Sequence, residues 1–550
     1  MVIRNAMDEH LNPRGGAAIA PRLRGWLIAL VILLGIVIRF YNLTEVLVDG
    51  RFYFVDSDCY SRMTRAERVL REPGTVVRFH EFENWPDGIV SHATAPMDYA
   101  IAGLAVLLEP ALSVAGRFAV LKPAVIDAAG ALVGPLIGAC MCALVAIWGA
   151  GIRNAGGGEC GGWWAASLFV AGSPALVHAT VFGRPDHQSL IVGCMAVVFA
   201  AEQRMLQGSD RVNGWAWAGG LGMGFGLWVS LFEPLIILGM ILVCGALFWR
   251  KSWTVPLRLR WSLGLLSMCG IGLAVDGIHF VVPEAAWRDA LLRWGRTIGE
   301  LQPLDSVSQL SRWGGSAMWL LPIGLWSAFR REGRAVIGWF LVIFVLAALT
   351  TWQIRWGAYF SLAMAFVAPW ALAVLGANWQ RALVVALSFM PMAAEWDALW
   401  FPKPSAAYAR HLARSEKINA RRAAERLRSG EVEPFVAPWW HSPAIAYWSG
   451  QPAVAGSGHQ GIAGIVDTAR VYMSTEPGAA MEVFARRGVK WVLAGDAEQL
   501  VDNSAAILGV PARGHGTPLA EMLWKTVLDP AWGLEGEHNV TTFRLLRVAR

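Results

Sequence analysis

Long apolar blocks, separated by short polar connections, fill about the first 400 residues of this chain. Most of the blocks approach the roughly 20 residues that an α-helix needs to cross a bilayer. The pattern predicts a polytopic α-helical membrane protein with about 11–13 transmembrane helices. Eleven crossings can be placed, at about 25–40, 124–150, 162–182, 188–203, 214–231, 234–249, 261–282, 314–329, 335–351, 357–376 and 381–397. Residues 98–115 are also apolar, but Glu109 and Pro110 interrupt them, so a re-entrant or interfacial helix is predicted there.

The basic residues of the connections predict the orientation of these crossings. Turns such as those around Arg250 and Arg330 carry several cations, and cation-rich short turns stay on the cytoplasmic side. We therefore predict a multi-pass protein of the plasma (inner) membrane with a cytoplasmic tail at 1–24 and a transmembrane domain at 25–399. Its outer loops, 41–123 and 283–313, then face the periplasm. No small-residue cleavage site follows the first apolar run, which favours an uncleaved signal anchor.

The composition changes near residue 400. Residues 403–433 are polar and rich in Arg and Glu, and short β-like runs such as 488–493 and 541–546 follow. We predict that residues 400–550 form a mixed α/β soluble domain outside the membrane.

Overall composition agrees with a membrane protein. Of the 550 residues, 55% are hydrophobic and 16% are charged, whereas roughly a quarter would be charged in a soluble domain. The 29 Trp residues suit the two bilayer interfaces. The net charge of +6 comes from cations in the inner turns, so no nucleic-acid partner is indicated. Most of the seven Cys lie within apolar blocks, so no disulfide framework is predicted.

The carboxylates Asp56, Asp58, Asp186 and Glu300 lie in three separate connections between apolar blocks. Ionisable groups at a membrane boundary are costly and tend to be functional. The predicted topology places the three connections on one face of the membrane, so we expect these acids to meet. Oxygen ligands of this kind suit a hard divalent cation such as Mg²⁺ or Mn²⁺. For Asp186, capping of the next helix is an alternative role.

Further polar and aromatic residues accompany the acids. They comprise His187, Gln302 with Pro303, Arg355, Tyr359, the run Trp439-Trp440-His441, and Gly458-His459. An Arg at the head of a span could simply extend to the interface, and paired Trp residues in a soluble domain are usually part of the core.

Taken in order along nearly the whole chain, these pieces resemble the catalytic subunit of the oligosaccharyltransferases, a family of GT-C type membrane glycosyltransferases. That family has acidic motifs in its first two outer loops and an S-V-S-E-x-Q-P-like segment in a later one, which residues 297–303 resemble. The family also has an R-F-x-x-Y-like sequence, which residues 355–359 resemble. The family's W-W-D motif and its glycine-rich turn ending in His resemble 439–441 and 458–459. We expect this chain to be a divergent, bacterial-type member of that family.

The resemblance implies that the transmembrane domain is catalytic. It implies transfer of a sugar or oligosaccharide from a polyprenyl (pyro)phosphate donor to an acceptor polypeptide, with Asn as the expected acceptor, on the extracytoplasmic side. The resemblance also implies that Asp56, Asp58 and Glu300 are catalytic. It implies that Arg355 and Tyr359 bind the donor phosphate. Acceptor binding would involve Trp439, Trp440, His441 and Gln302. The ligands of Mg²⁺ or Mn²⁺ would be Asp58, Asp186, His187 and Glu300. Spacing does not decide between Asp56 and Asp58 as the catalytic acid.

His441 stands where the family motif has Asp. In the family this motif holds the hydroxyl of a Ser or Thr two residues after the glycosylated Asn. The departure leaves open a lipid, glycan or O-linked acceptor on the same fold. A transporter of lipid-linked sugars is a further alternative, although transporters commonly show internal repeats and place ionisable groups near the bilayer midplane.

Overall fold

The computed structural model describes residues 21–549 apart from 116–123, 151–162, 209–210, 279–283, 373–374, 376, 515 and 526–527. Most of the predicted cytoplasmic tail thus lies outside the described residues. Up to residue 426 the α-helices are α1 (Pro21–Ile38), α2 (Leu43–Val46), α3 (Ser57–Arg71), α4 (Ala95–Ala115), α5 (Val125–Ala150), α6 (Trp163–Gly172), α7 (Pro174–Ala179), α8 (His187–Gln207), α9 (Val212–Val229), α10 (Phe232–Leu247), α11 (Val255–Asp276), α12 (Arg288–Gly295), α13 (Ser308–Gly314), α14 (Leu321–Glu332), α15 (Ala335–Trp352), α16 (Gly357–Leu372), α17 (Asn378–Trp400) and α18 (Pro404–Arg426). Single 3₁₀ turns lie at Ala285–Trp287, Gly299–Leu301, Ser316–Leu320 and Ile354–Trp356. The first outer loop also contains two short antiparallel hairpins, β1 (Leu47–Val48) with β2 (Arg51–Phe52) and β3 (Phe79–His80) with β4 (Ile89–Val90).

Each of the eleven predicted crossings coincides with one of these helices or with consecutive helical segments. Seven stretches of the described chain are long and apolar enough to cross a membrane, namely Gly25–Val46, Ala95–Leu112, Val125–Gly149, His187–Gln207, Val255–Asp276, Ala335–Trp352 and Trp379–Trp400. Apolar helix α10 is shorter. The polytopic helical membrane fold is therefore confirmed.

Helix α4 runs without a break through Pro110. Its length and apolar composition would suffice for a crossing, and the re-entrant or interfacial placement stays a prediction. Glu109 is exposed on the helix surface, so it does not need a buried partner. Neither Glu109 nor Pro110 therefore ends the helix.

Glycines bring helices α9 and α11 into close contact. A Cβ added at Gly220 would lie 2.0 Å from the carbonyl oxygen of Trp261, and one at Gly224 would lie 2.6 Å from that of Leu265. From the other side, a Cβ at Gly264 would lie 2.9 Å from the Trp217 carbonyl oxygen. Small residues allow such backbone approach between membrane helices, where apolar burial adds little attraction. A larger side chain at Gly220 would force the two helices apart.

The C-terminal part is mixed α/β, as predicted. Its α-helices are α19 (Ser442–Ser449), α20 (Ile462–Met473), α21 (Pro477–Arg487), α22 (Ala497–Leu508) and α23 (Leu519–Met522), with 3₁₀ turns at His459–Gly461 and Pro530–Trp532. The strands are β5 (Phe435–Val436), β6 (Trp491–Ala494), β7 (Leu534–Val540) and β8 (Phe543–Val548), in the order β5-β6-β8-β7. Strands β5 and β6 are parallel, and the other two pairs are antiparallel.

One apolar core joins this C-terminal part to the first outer loop. Tyr60 of α3 packs edge-on against Trp448 of α19 with ring centroids 4.9 Å apart, and Tyr53 packs against the same indole at 5.7 Å. The Tyr447 hydroxyl also donates to Asp127 at the start of α5. Buried aromatic pairs of this kind contribute about 0.5–1.5 kcal/mol each beyond the area they bury. The C-terminal part is therefore packed against the segment 53–60 and the start of α5.

Candidate active site

Asp56 and Asp58 lie at the start of helix α3 in the first outer loop. Asp56 is the N-cap residue, and its carboxylate accepts the backbone N–H of Cys59 at 3.1 Å. Asp58 lies in the first turn. A helix N-terminus has unsatisfied N–H groups and a positive dipole end, so both carboxylates are favoured there.

A buried ion cluster fixes helix α3 against the start of α4. The Asp98 carboxylate, which is fully buried, pairs with Arg62 at 2.9 Å and with Arg65 at 2.8 Å. Arg62 also donates to the Thr94 carbonyl oxygen at 3.0 Å. These bonds hold the helix that carries Asp58 in one position.

Asp186 precedes helix α8 at the tip of the second outer connection. Its backbone has the extended conformation of an N-cap, but its side chain makes no capping hydrogen bond. Instead, one carboxylate oxygen lies 2.6 Å from His187 Nδ1, and the other lies 4.0 Å from Arg184. The same Arg184 side chain reaches Asp56 at 3.6 Å. Arg184 thus joins the acids of two outer connections.

Glu300 lies in the 3₁₀ turn Gly299–Leu301 and reaches the same region. Its carboxylate accepts a hydrogen bond at 2.8 Å from Nε2 of Gln188, the second residue of α8, and lies 3.8 Å from Arg355. The backbone N–H of Ile354 donates to the Gln302 carbonyl oxygen at 3.0 Å, which holds the two segments side by side. Arg355 also donates to Glu233, whose carboxylate is 1% exposed.

The structure therefore brings together residues that the sequence places far apart. Asp56, Asp58, Asp186 and Glu300 share one cleft, together with His187 and Arg355. Sequence reasoning missed three partners, which are Arg184, Gln188 and Glu233. Glu233 carried a usable signal, because it is a lone acid at the outer end of an apolar block.

Crowding of negative charge changes the acidity of these groups. The Asp58 side chain is partly exposed to solvent, but protein atoms surround its carboxyl group. This loss of hydration, followed by the charges of Asp56 and Asp186, raises the pKa of Asp58 to about 8. A hydrogen bond from Ser457 opposes that shift. Burial would also raise the pKa of Asp186, but His187 and Arg184 outweigh it and lower that pKa. The cleft therefore holds more carboxylates than its cations neutralise.

A glycine-rich turn of the C-terminal part closes the cleft from above. Ser457 hydrogen-bonds to Asp58, and the His459 ring lies 4.9 Å from the ring of His92 in the first outer loop. A Cβ added at Gly456 would lie 2.0 Å from Glu83 Oε2, so the turn needs glycine to approach this closely. The turn singled out in the sequence thus contacts the acidic cluster.

The side chains of the predicted acceptor-binding residues make their contacts with residues other than the acids. Trp439 donates to Asn503 at 3.0 Å, His441 bonds to Glu416 at 2.8 Å, and Trp440 packs on the core of the C-terminal part. Gln302 donates to the carbonyl oxygens of Arg296 and Ile298 at 2.7 and 3.1 Å. In the part of the chain that the structure describes, no hydrogen bond or ion pair joins these four side chains to the four carboxylates.

The aromatic motif does contact the loop that carries Glu300. Trp439 packs edge-on against Trp294 of α12 with ring centroids 5.6 Å apart. Its partner Asn503 also lines a cavity of about 530 Å³ together with Thr297 and Asp502. Thr297, which lines this cavity, lies three residues before Glu300 in the chain.

Several buried donors around the cleft have no partner. Within the described chain, Arg184 Nε, Arg355 Nε and the Tyr359 hydroxyl are buried and make no hydrogen bond. Buried polar groups nearly always have a partner, so each such case needs an explanation. Two guanidinium groups and a phenol with free hydrogens would suit the oxygens of an anionic ligand.

The residues present suit a divalent cation in type. The carboxylates repel one another, which shifts Asp58 towards its neutral form. A bound cation would relieve this repulsion. Among the described residues, however, no three His, Cys, Asp or Glu side chains are arranged to hold a metal ion. Asp186 instead bonds to His187.

No protein-family model matches the sequence, and no curated protein does. Solved structures do match. The oligosaccharyltransferase AglB of Archaeoglobus fulgidus, in complex with an inhibitory peptide and a dolichol-phosphate, has a TM-score of 0.64 and 14% identity over 96% of this chain and 74% of that one. The Archaeoglobus fulgidus oligosaccharyltransferase in complex with Zn and sulfate has a TM-score of 0.64 and 13% identity, over 88% of this chain and 70% of that one. ArnT from Cupriavidus metallidurans, bound to undecaprenyl phosphate, has a TM-score of 0.52 and 12% identity, over 96% of this chain and 98% of that one.

These matches cover nearly the whole chain. They show that this chain has a fold similar to the folds of the oligosaccharyltransferase AglB and of ArnT. The resemblance to the oligosaccharyltransferases is thus confirmed at the level of the fold.

Proposed function

We propose that this protein is a membrane glycosyltransferase of the oligosaccharyltransferase type. It transfers a sugar or oligosaccharide from a polyprenyl (pyro)phosphate to an acceptor polypeptide, with Asn as the acceptor residue. One observation carries the proposal: Asp56, Asp186 and Glu300 come from three outer connections and are linked by two side chains. Arg184 contacts both aspartates and Gln188, and Gln188 donates to Glu300. The bilayer-spanning helices beneath this cleft suit a substrate with a polyprenyl tail.

The donor phosphate binds beside Arg355 in this proposal. The guanidinium of Arg355 and the hydroxyl of Tyr359 supply the buried donors that lack a partner within the described chain. Fixed donors in a site shielded from water stabilise the charge that develops on the leaving phosphate. The AglB and ArnT structures contain a dolichol-phosphate and an undecaprenyl phosphate, which supports a lipid phosphate as ligand.

The acceptor is activated by the carboxylates. Its nucleophilic atom forms a bond to the anomeric carbon of the sugar, the bond from that carbon to the phosphate oxygen breaks, and a carboxylate takes the released proton. Asp58, which a bound cation would hold in its ionised form, is our preferred base, with Asp56 as the alternative. Glu300, held by Gln188, orients the acceptor.

Asp58, Asp186, His187 and Glu300 would hold Mg²⁺ or Mn²⁺. When bound, the ion supplies positive charge that stabilises the leaving phosphate. A structure of the Archaeoglobus fulgidus oligosaccharyltransferase is a complex with Zn and sulfate, which supports metal binding by this protein. The chain resides in the plasma (inner) membrane as a multi-pass protein, with this cleft and the domain at 400–550 in the periplasm.

A transfer assay tests the function. The purified protein is incubated with a polyprenyl-linked sugar and a peptide containing Asn-x-Thr, and glycopeptide is measured by mass spectrometry. We expect Asp186→Ala and Glu300→Ala to lower the rate at least about 100-fold, the scale of losing one element of charge stabilisation. Asp305→Ala, which removes an exposed acid from the same loop as Glu300, is the matched control and should keep the wild-type rate. Near-normal transfer by both site variants would refute the assignment.

A second candidate function has a different acceptor. His441 stands where the family motif has Asp, and its Nε2 is bonded to Glu416 at 2.8 Å, which favours a lipid, glycan or O-linked acceptor on the same site. Sugar transfer to such an acceptor, with no modified Asn in the peptide, would support it. Movement of the lipid-linked sugar across a vesicle membrane with no new glycosidic bond would instead indicate a transporter.

A further inference from the structure

The first half of helix α18 is uncovered. The residues from 403 to 413 are all exposed except Arg410, which is partly buried. Large apolar side chains are among them, since Tyr408 is 64% exposed and Leu412 is 50% exposed, and Phe401 just before the helix is 73% exposed. Exposed apolar side chains that lie together mark a surface that contacts another molecule or a lipid phase.

The contacts of Arg410 place this half of α18 beside the end of a membrane-spanning helix. Its guanidinium donates to two carbonyl oxygens in the last turn of α17, that of Leu399 at 2.6 Å. The apolar stretch that includes α17 ends at Trp400, where the predicted topology puts the outer boundary of the bilayer. Tyr408 and Leu412 lie two residues to either side of Arg410, which is about 3 Å along the helix axis. Both side chains are therefore close to that boundary.

The charges of this stretch suit an anionic lipid surface. Residues 401–415 contain Lys403, Arg410 and Arg414 and no Asp or Glu. Tyr408 and Leu412 are four residues apart and share one face of the helix, and the two arginines share another. Apolar side chains on one face with cations beside them are typical of helices that lie in a bilayer interface, where aromatic rings are also favoured.

We propose that residues 401–414 lie in the outer interface of the bilayer, with their large apolar side chains among the lipid headgroups. Lys403 and Arg414 contact anionic headgroups in this arrangement. The inference goes beyond the proposed function, because it requires neither the sugar donor nor the acceptor.

The same helix continues to the cleft. Lys417 donates to the backbone carbonyl oxygens of Phe54 and Val55 at 2.9 and 3.1 Å, directly before Asp56. Helix α18 thus joins the lipid surface to the loop that carries two of the acids. Its contact with lipid would set the height of the cleft over the bilayer.

Photocrosslinking tests this surface. The full-length protein carries p-benzoylphenylalanine in place of Tyr408 or of Leu412 and is reconstituted in vesicles of phosphatidylethanolamine and phosphatidylglycerol. After irradiation, mass spectrometry identifies the molecule that has joined the label. We expect phospholipid adducts at both positions, as at Leu266, an exposed residue of the apolar helix α11. Val510, an exposed apolar residue that follows α22, is the negative control and should give none.

Three results would overturn the proposal. The first is the absence of lipid adducts at Tyr408 and Leu412 when Leu266 forms them. The second is a crosslinked product of twice the protein mass, because it would identify a second copy of the chain as the occupant of this surface. The third is an equal yield of lipid adducts at Val510.

Two further variants test the charge of the surface. Lys403→Gln and Arg414→Gln each remove one cation, which weakens attraction to an anionic lipid surface by about fivefold. We expect each variant to lower the ratio of phosphatidylglycerol to phosphatidylethanolamine among the adducts at Leu412 by up to that factor. An unchanged ratio in both variants would overturn the assignment of an anionic lipid surface.

Discussion

Replacement of Arg355 by Lys is the sharpest test of the donor site. The guanidinium contacts two carboxylates at once, because Nη1 lies 3.8 Å from Glu300 and Nη2 donates to Glu233. Its Nε is buried and has no partner in the described part of the chain, so it remains available to a phosphate oxygen. Lys keeps the positive charge but has a single nitrogen, which cannot serve all three positions.

The expected magnitude follows from the lost hydrogen bond. A hydrogen bond to a charged group contributes about 1.5–3 kcal/mol, which corresponds to roughly 10- to 150-fold in rate. We therefore expect Arg355→Lys to lower kcat/KM for the lipid-linked donor by that factor, while KM for the acceptor changes little. The measurement is initial-rate kinetics with each substrate varied in turn.

Arg312→Lys is the matched control. Arg312 pairs with Glu395 at 3.3 Å, but its side chain is 51% exposed, so the pair contributes at most about 1 kcal/mol. Its replacement should change the rate by less than about fivefold. Wild-type donor kinetics in Arg355→Lys, or an equal loss in both variants, would refute the role given to Arg355.

Three further predictions concern the support of the site, its glycine turn and its metal. Asp98→Asn leaves two buried arginines without their carboxylate, so we expect a loss of about 3–5 kcal/mol in stability, seen as a lower unfolding temperature in detergent. Gly456→Ala places a methyl group against Glu83, so we expect the turn to move off the cleft and kcat to fall while the protein still folds. Removal of divalent cations with EDTA should abolish transfer, and added Mg²⁺ or Mn²⁺ should restore it.

Each of these predictions has a control or a contradicting result. Glu81→Gln breaks an exposed ion pair with Arg68, and an equal effect there would contradict the importance assigned to Asp98. Gly430→Ala meets no atom within 4 Å and should keep wild-type kcat. Unchanged kcat in Gly456→Ala would show that the turn does not order the cleft. Full activity in excess EDTA would remove the metal from the proposed mechanism.

The sequence by itself determined the helices and the membrane class. An apolar block must satisfy its backbone hydrogen bonds internally once it enters lipid, so block length predicts a helix with little help from the rest of the fold. Helix α4 shows the limit of this reasoning. An exposed Glu109 and a Pro in a surface-facing turn do not end a helix, and only the packing of α4 reveals which face they occupy.

The sequence also identified the acids, since Asp58, Asp186 and Glu300 are unusual at a membrane boundary. Only the tertiary structure decided what they contact. Glu300 meets Gln188 from 112 positions away, and Arg355 meets Glu233 from 122 positions away. Helix periodicity and short motifs describe neighbours within a few residues, so they contain no information about such pairs. For the same reason the sequence could suggest Trp439 and His441 as acceptor contacts but could not reveal that Asn503 and Glu416 already bind them.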